Sequence, residues 1–231
     1  MQKQPFISVV VPVFNEELTV GDVVQGIRNA LDAMGLNYEV IVVDDGSSDN
    51  SVNVALSSQA KVLMLKKHMG KGYALRAGFS KARGNIIITI DSDGSHDPKD
   101  IPKILEPILK DEADLIIGSR FLNNRNVFIN GLNKAGAKIL NFTIRILTGH
   151  AISDSQSGYR AFKSLIVKAI SLKSVGYEIE SEMLIKAIKK GFRAQEVPIK
   201  FEQRTYGRSK LDPIKDGLKI LIASFAAFLG D

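Results

Sequence analysis

Residues 84–98 read Gly84-Asn85-Ile86-Ile87-Ile88-Thr89-Ile90-Asp91-Ser92-Asp93-Gly94-Ser95-His96-Asp97-Pro98. The β-branched run without polar alternation predicts a strand, Ile86–Ile90, buried on both faces as in a parallel sheet covered by helices. Ligands of such sheets bind just beyond the carboxyl ends of the strands, where Asp91 and Asp93 fall. Two carboxylates one residue apart repel each other, and a divalent cation relieves the conflict. An all-oxygen set of one or two carboxylates suits Mg2+ or Mn2+, with the other positions filled by water and substrate phosphates. The same residues also suit a plain turn with Gly94 in a left-handed position, and the triplet alone does not choose.

Working upstream, Ile7–Val11 predicts a first strand broken by Pro12. Asn15 and Glu16 are placed to cap a helix with Val20, Val23, Val24, Ile27, Leu31 and Met34 at helical spacing, ended by Gly35. Tyr38–Val43 predicts a second buried strand, and it too stops in acid, at Asp44-Asp45-Gly46. Strand, helix and strand form a βαβ unit with a right-handed crossover. A third strand, Val62–Leu65, leads through Gly70-Lys71-Gly72 into a helix carrying Leu75, Ala77, Phe79 and Ala82. That glycine pair fits part of a dinucleotide fingerprint, but Leu75 stands at its sixth position and the unit is not the first βα turn. Lys71 is expected to face the same anionic ligand as the aspartates.

Downstream, Ile101, Ile104, Leu105, Ile108 and Leu109 mark another helix, and Asp114–Gly118 a fifth strand running into Ser119-Arg120. From Phe128 to Leu147, Leu132, Ala135, Ile139, Phe142 and Ile146 repeat at helical spacing, with Lys134, Lys138 and Arg145 on another side. Such a basic amphipathic helix lies on a protein core or in a membrane interface. Residues 153–160 read as a polar loop, and Glu180 and Glu182 as acids of a first helical turn that favour the helix dipole. Gln195–Phe201 predicts a strand, followed by a basic loop with Arg204, Arg208 and Lys210 around Gly207. The nearly all-apolar run 220–229 predicts a helix that needs burial, in an interface or ahead of a membrane region.

The sequence has 31 Lys and Arg against 25 Asp and Glu, a net charge of +6 that favours an anionic partner. No cysteine is present, which excludes disulfides and thiolate metal sites. No apolar run reaches the length of a membrane span, and residues 1–8 do not read as a secretory signal.

Seven short motifs now stand in order: Pro12-x-x-Asn15-Glu16, Val43-Asp44-Asp45-Gly46-Ser47-x-Asp49, Gly70-Lys71-Gly72, Asp91-x-Asp93, Gly118-Ser119-Arg120, Asp154-x-x-Ser157-Gly158 and Arg204-x-x-Gly207-x-Ser209-Lys210. Over nearly the whole chain this series resembles family 2 glycosyltransferases of the dolichyl-phosphate mannose synthase type. The resemblance implies an α/β, GT-A fold: a Rossmann-like, mostly parallel sheet with helices on both faces, plus C-terminal amphipathic or interfacial helices. It implies one domain over residues 1–231, with 1–120 binding the nucleotide sugar, 121–213 the acceptor and 214–231 forming the apolar helix. Pro12, Val13, Asn15, Glu16, Asp44 and Asp45 are then expected in the nucleoside pocket, one of the paired aspartates reading the base. Asp91 and Asp93, with Ser92 between them, are expected to bring Mg2+ or Mn2+ to the donor diphosphate. Lys71, Arg204 and Lys210 would grip phosphates, and Arg120 would face the acceptor phosphate.

The activity implied is inverting transfer of a hexose, mannose first and GlcNAc or glucose next, from a GDP- or UDP-sugar to a polyprenyl or dolichyl phosphate. The expected setting is the cytoplasmic face of a membrane, without nucleic acid. Two departures concern the sugar and the lipid: Ser95 stands where mannose-transferring members often carry glutamine, and Asn130 and Lys134 stand where close relatives place an arginine and a serine. A transferase acting on a hydroxyl would instead need a general base, for which Glu178, Glu180 and Asp154 are candidates. A non-catalytic nucleotide-binding partner subunit is a third reading, against which the intact acidic triplet speaks.

Overall fold

Side chains of successive strand residues enter two separate cores, and this makes the sheet the middle layer of the molecule. The computed structural model describes residues 5–122, 131–204, 206, 210 and 212–230. Its elements in chain order are β1 (Phe6–Val13), α1 (Val20–Ala33), β2 (Asn37–Asp44), α2 (Ser51–Ser57), β3 (Lys61–Met64), α3 (Lys71–Lys81), β4 (Ile86–Thr89), α4 (Ile101–Leu109), β5 (Leu115–Ser119), α5 (Gly131–Thr148), β6 (Arg160–Lys163), α6 (Leu165–Ala169), α7 (Ile179–Lys189), β7 (Ala194–Pro198) and α8 (Lys215–Leu229). Val9, Val11, Ile86 and Ile88 share one core with Ile27 and Leu31 of α1 and Ile104 and Leu105 of α4. Val10, Ile41 and Ile87 share the other with Phe79 of α3 and Leu184 and Ile188 of α7.

The seven strands lie in the order β3-β2-β1-β4-β6-β5-β7. β1 pairs in parallel with β2 on one side and β4 on the other, so the winding direction reverses across β1 and β4. Among the described strands only β6 runs antiparallel, wedged between β4 and β5. Reversal opens a crevice at the carboxyl ends of β1 and β4, between Val13 and Asp91.

Four expectations are corrected. Pro12 does not end β1, which continues to Val13 in register with Asp44. The Pro12 carbonyl accepts from Ser92 Oγ and that of Val13 from the Asp45 amide, so only the donor that proline lacks is missing. Asn15 and Glu16 do not cap α1, which starts after Thr19. Asn15 sits at φ +54°, and its side chain accepts from the Ser48 amide at 2.8 Å. Arg160, expected in a loop, instead begins β6. β7 stops at Pro198, short of Phe201, which pairs separately with His96.

Phe128 and the Leu132 side chain lie outside the described residues, and the rest of the apolar stripe predicted for α5 is not core. Leu140 and Ile144 are buried, while Ile139, Phe142 and Ile146 are 59%, 63% and 66% exposed. α8 packs beside α5 and behaves alike, burying Ile220 and Ala227 and exposing Leu218, Ile222 and Leu229. Among the described residues, no helix is long and apolar enough to cross a membrane.

Glu39 on β2 is a buried carboxylate that receives Ser8 Oγ at 2.8 Å, Lys61 Nζ at 2.9 Å, and the amide and guanidinium of Arg83. Burial pushes its pKa up, but these donors outweigh burial and hold it down to about 2. A depressed native pKa adds stability above the unfolded value of about 4.3. That contribution is lost as pH falls toward 2. Glu39→Gln is expected to cost about 2 kcal/mol near neutral pH. Urea titrations of both proteins check this, because the difference should shrink as the buffer is acidified.

Candidate active site

The loop after β4 is fastened to its neighbours before it presents any charge. Ser92 Oγ donates to the Pro12 carbonyl, and the Ser92 carbonyl accepts from Thr19 Oγ1 at 2.7 Å, tying the loop to β1 and the start of α1. Gly94 takes φ +75°, the left-handed position expected of it. One oxygen of Asp93 is spent inside the loop, accepting from the Ser95 amide at 3.0 Å and Ser95 Oγ at 2.6 Å. Its other oxygen meets the Arg204 guanidinium at 2.6 Å.

Asp91 is also met by a cation. Lys71, first residue of α3, places its ammonium 2.6 Å from Asp91 and 2.9 Å from Glu180 at the start of α7. Gly158 makes this approach feasible, since a Cβ there would lie 2.7 Å from both Lys71 Nζ and an Asp91 oxygen. Burial raises the Asp91 pKa, but the charge and hydrogen bond of Lys71, together with the His96 and Arg204 charges, outweigh it and lower the pKa to about 2. Arg204 also reaches Glu16 at 3.5 Å, and Lys210 contacts Glu16 at 3.2 Å and the Phe14 carbonyl. Each acid of the triplet thus attracts a positive side chain from a distant part of the chain.

These groups line one cleft of about 350 Å³ at the crevice between β1 and β4. Pro12, Val13, Glu16, Asp45, Lys71, Asp91, Ser92, Asp93, Arg204 and Lys210 all face it, so ten predicted residues meet in one place. Asn15 and Asp44 are not among its lining residues. Asn15 holds Ser48, and the Asp44 carboxylate accepts from the Ser47 amide. Asp45 lines the wall while accepting from the amides of Met69 and Gly70 and lying 2.8 Å from His68 Nδ1. Phe14, His68 and Tyr177 also line the cleft and were not anticipated. Phe14 lay inside a quoted motif, whereas His68 and Tyr177 had no signal beyond their neighbours.

Arg120 lies outside the cleft lining, in a polar layer of its own. Its Nε and Nη2 each donate to Asp154 at 2.7 Å, and its guanidinium carbon lies 5.2 Å from the Phe201 ring centre. Glu196 on β7 fixes that layer from behind by accepting from the amides of Ser153 and Asp154. Arg160, missed as a site residue, is fully buried and donates to the carbonyls of Ser155, Ser157 and Glu180. Lys134 is exposed on α5, while Asn130, Gly207, Arg208 and Ser209 lie outside the described residues.

The three candidate bases are all engaged. Glu178 accepts from the amides of Val175 and Gly176, Glu180 faces Lys71, and Asp154 holds Arg120 at both oxygens. The donor chemistry around Asp91 and Asp93 fits a hard divalent cation: two carboxylates at one strand end, each already drawing a positive group to 2.6 Å. Among the described residues, no set of three or more acids and histidines is arranged to hold a metal. A Mg2+ or Mn2+ ion would therefore take Asp91 and Asp93 from the protein and its other oxygens from water and phosphate.

Residues 8–170 match the family model described as glycosyl transferase family 2. The chain is 37% identical over 213 residues to a dolichol-phosphate mannosyltransferase of Pyrococcus furiosus, covering 89% of this chain and 59% of that one. It is 33% identical over 238 residues to a UDP-N-acetylglucosamine–dolichyl-phosphate N-acetylglucosaminyltransferase of Methanococcus voltae, covering 93% and 92%. Among solved structures, glucosyl-3-phosphoglycerate synthase of Mycobacterium tuberculosis, in complex with Mn2+, UDP and glucosyl-3-phosphoglycerate, superposes with a TM-score of 0.76 at 25% identity, covering 97% of this chain and 79% of that one. That likeness bears out the expected GT-A architecture, a mostly parallel sheet between two helical layers. With the model match spanning most of the sheet and the acidic triplet at its switch point, the chain belongs to glycosyl transferase family 2.

Proposed function

We propose that the chain transfers a hexose, with inversion, from a nucleotide diphosphate sugar to a polyprenyl or dolichyl phosphate. The observation that carries this reading is that Glu178, Glu180 and Asp154 do not line the cleft and each already meets a donor, so none of those candidates stands there as a free base. An alcohol acceptor needs a general base, but a phosphate monoester, with a second pKa of about 6, is largely ionised near neutral pH and attacks unaided. The two curated relatives support the same acceptor class. They differ in the sugar named and agree on a dolichol-linked phosphate. Mannose is the first donor to test, with GlcNAc and glucose next.

In this reading residues 1–120 hold the donor and 121–213 the acceptor, although Tyr177, Arg204 and Lys210 reach back over the donor cleft. A divalent ion, when bound, supplies positive charge to the departing diphosphate. Asp91 and Asp93 would hold it from the end of β4, while Lys71, kept beside Glu180, turns from Asp91, and Arg204 and Lys210 turn from Asp93 and Glu16, toward the phosphates. Arg120, kept in one orientation by Asp154, holds the acceptor phosphate at reacting distance. The exposed apolar faces of α5 and α8, with Lys134, Lys138 and Arg145 beside them, suit a cytoplasmic membrane surface where such an acceptor resides.

A thermal-shift screen of nucleotides and nucleotide sugars with Mn2+ tests the donor half of this reading. A ligand at 100 times its Kd adds about 2.7 kcal/mol to the folded state and raises Tm. GDP- or UDP-hexoses are expected to raise Tm, and chelation of the metal to reverse the shift. If no nucleotide moves Tm in the presence of Mn2+, the reading is wrong.

A further inference from the structure

Among the described residues, the buried polar side-chain atoms without a hydrogen bond belong to only two residues, His96 and Glu180. Glu180 is compensated by its ion pair with Lys71. His96 has no such compensation: it is 3% exposed and neither ring nitrogen has a hydrogen-bond partner. Its ring is wedged between Tyr159 and Phe201, with both ring centres 5.4 Å away. Its backbone is pinned by the bridge to Phe201 and by the Glu202 amide donating to the Ser95 carbonyl. A buried imidazole without partners costs about 1–3 kcal/mol, a penalty that an apolar side chain in the same space avoids. Among the described residues its ion-pair partner is Asp91, whose Oδ2 lies 3.9 Å from His96 Nδ1, with the charges of Asp93, Arg120 and Lys71 also acting on the ring. That separation is about 1 Å longer than a hydrogen bond.

The two oxygens of Asp91 are therefore treated differently. Lys71 holds Oδ1 at 2.6 Å, and His96 stands just out of reach of Oδ2. In the proposed function Lys71 turns toward the donor phosphates and gives up part of its hold on Asp91. We propose that His96 is then the positioning residue for Asp91, its Nδ1–H closing onto Oδ2 and fixing the carboxylate in the orientation that holds the divalent ion. This rests on the metal-dependent reading given above and deepens it. A hydrogen-bonded partner behind a ligating carboxylate contributes about 10–100-fold in metal affinity.

The test is Mn2+ binding by the full chain, measured by calorimetric titration with and without a nucleoside diphosphate and without any acceptor. His96→Leu removes the donor, His96→Gln moves it outward to about the Nε2 position, and His96→Asn keeps it near Nδ1. Leu and Gln are expected to weaken Mn2+ binding about 10–100-fold, with Asn restoring most of the affinity. Because Gln and Asn are both polar and of similar size, their contrast does not depend on the Leu variant folding. Wild-type affinity in folded Leu or Gln variants, or an Asn variant as weak as Gln, overturns the role of His96 alone. A wild-type chain that binds no Mn2+ under either condition overturns the metal-dependent reading and this role together.

Discussion

Asp93→Ala is expected to abolish hexose transfer, with a loss of about 10²–10³-fold or more even at saturating metal. Asp93 lines the cleft and its Oδ2 draws Arg204 to 2.6 Å, so the variant loses the carboxylate proposed to hold the metal and releases that guanidinium from its present partner. The other oxygen anchors Ser95 through two hydrogen bonds, so alanine also loosens the loop. Asp93→Asn separates the two effects. It keeps an acceptor for Ser95 but removes the charge, and it should lose nearly as much activity as alanine while melting like the parent. Full turnover by Asp93→Ala at high Mn2+ contradicts the role assigned to this residue.

Arg160→Met is expected to be the most destabilising single change described here. The side chain is fully buried and donates to three backbone carbonyls, at 2.8 Å to Ser157, 2.7 Å to Glu180 and 2.6 Å to Ser155. Methionine fills much of the volume but orphans the Ser155 and Ser157 carbonyls, each costing about 1–3 kcal/mol, while the Glu180 carbonyl keeps only its helical partner. A total of about 4 kcal/mol is a large share of the 5–15 kcal/mol by which a domain is typically stable. The denaturant midpoint reads this directly, and a change of less than about 1 kcal/mol contradicts it. Activity should fall as well, because those carbonyls join the Asp154 loop to the start of α7, where Glu180 holds Lys71.

The parallel strands were legible because burial on both faces forces nearly unbroken apolar runs such as Ile86–Ile90 and Val40–Val43. The cleft was legible for the same reason: acids that end such runs must lie at the sheet's carboxyl edge. β6 was hidden because Arg160 and Lys163 leave it only two apolar residues, and only the fold shows that the Arg160 charge is spent on carbonyls. α2 was missed because it buries only Ser51 and Ala55 and so leaves little helical periodicity. Asn15 read as a cap from its residue type, whereas its left-handed backbone puts its side chain to work on Ser48. Pairings such as Lys71 with Glu180 join residues far apart in the chain and leave no local trace. The α5 stripe shows the reverse case, a correct helical period whose apolar face points outward.

The account turns on whether a cation-loaded donor at the end of β4 gives up its sugar to a lipid phosphate. Incubating the chain with labelled GDP-mannose, UDP-GlcNAc or UDP-glucose, Mn2+ and dolichyl phosphate, and then partitioning the products into organic solvent, measures this directly. The account predicts label in the organic phase for at least one donor, as an acid-labile phosphodiester, and none once the metal is chelated. Label that stays in the aqueous phase as a glycoside of a soluble hydroxyl acceptor, or lipid labelling indifferent to chelation, would contradict it.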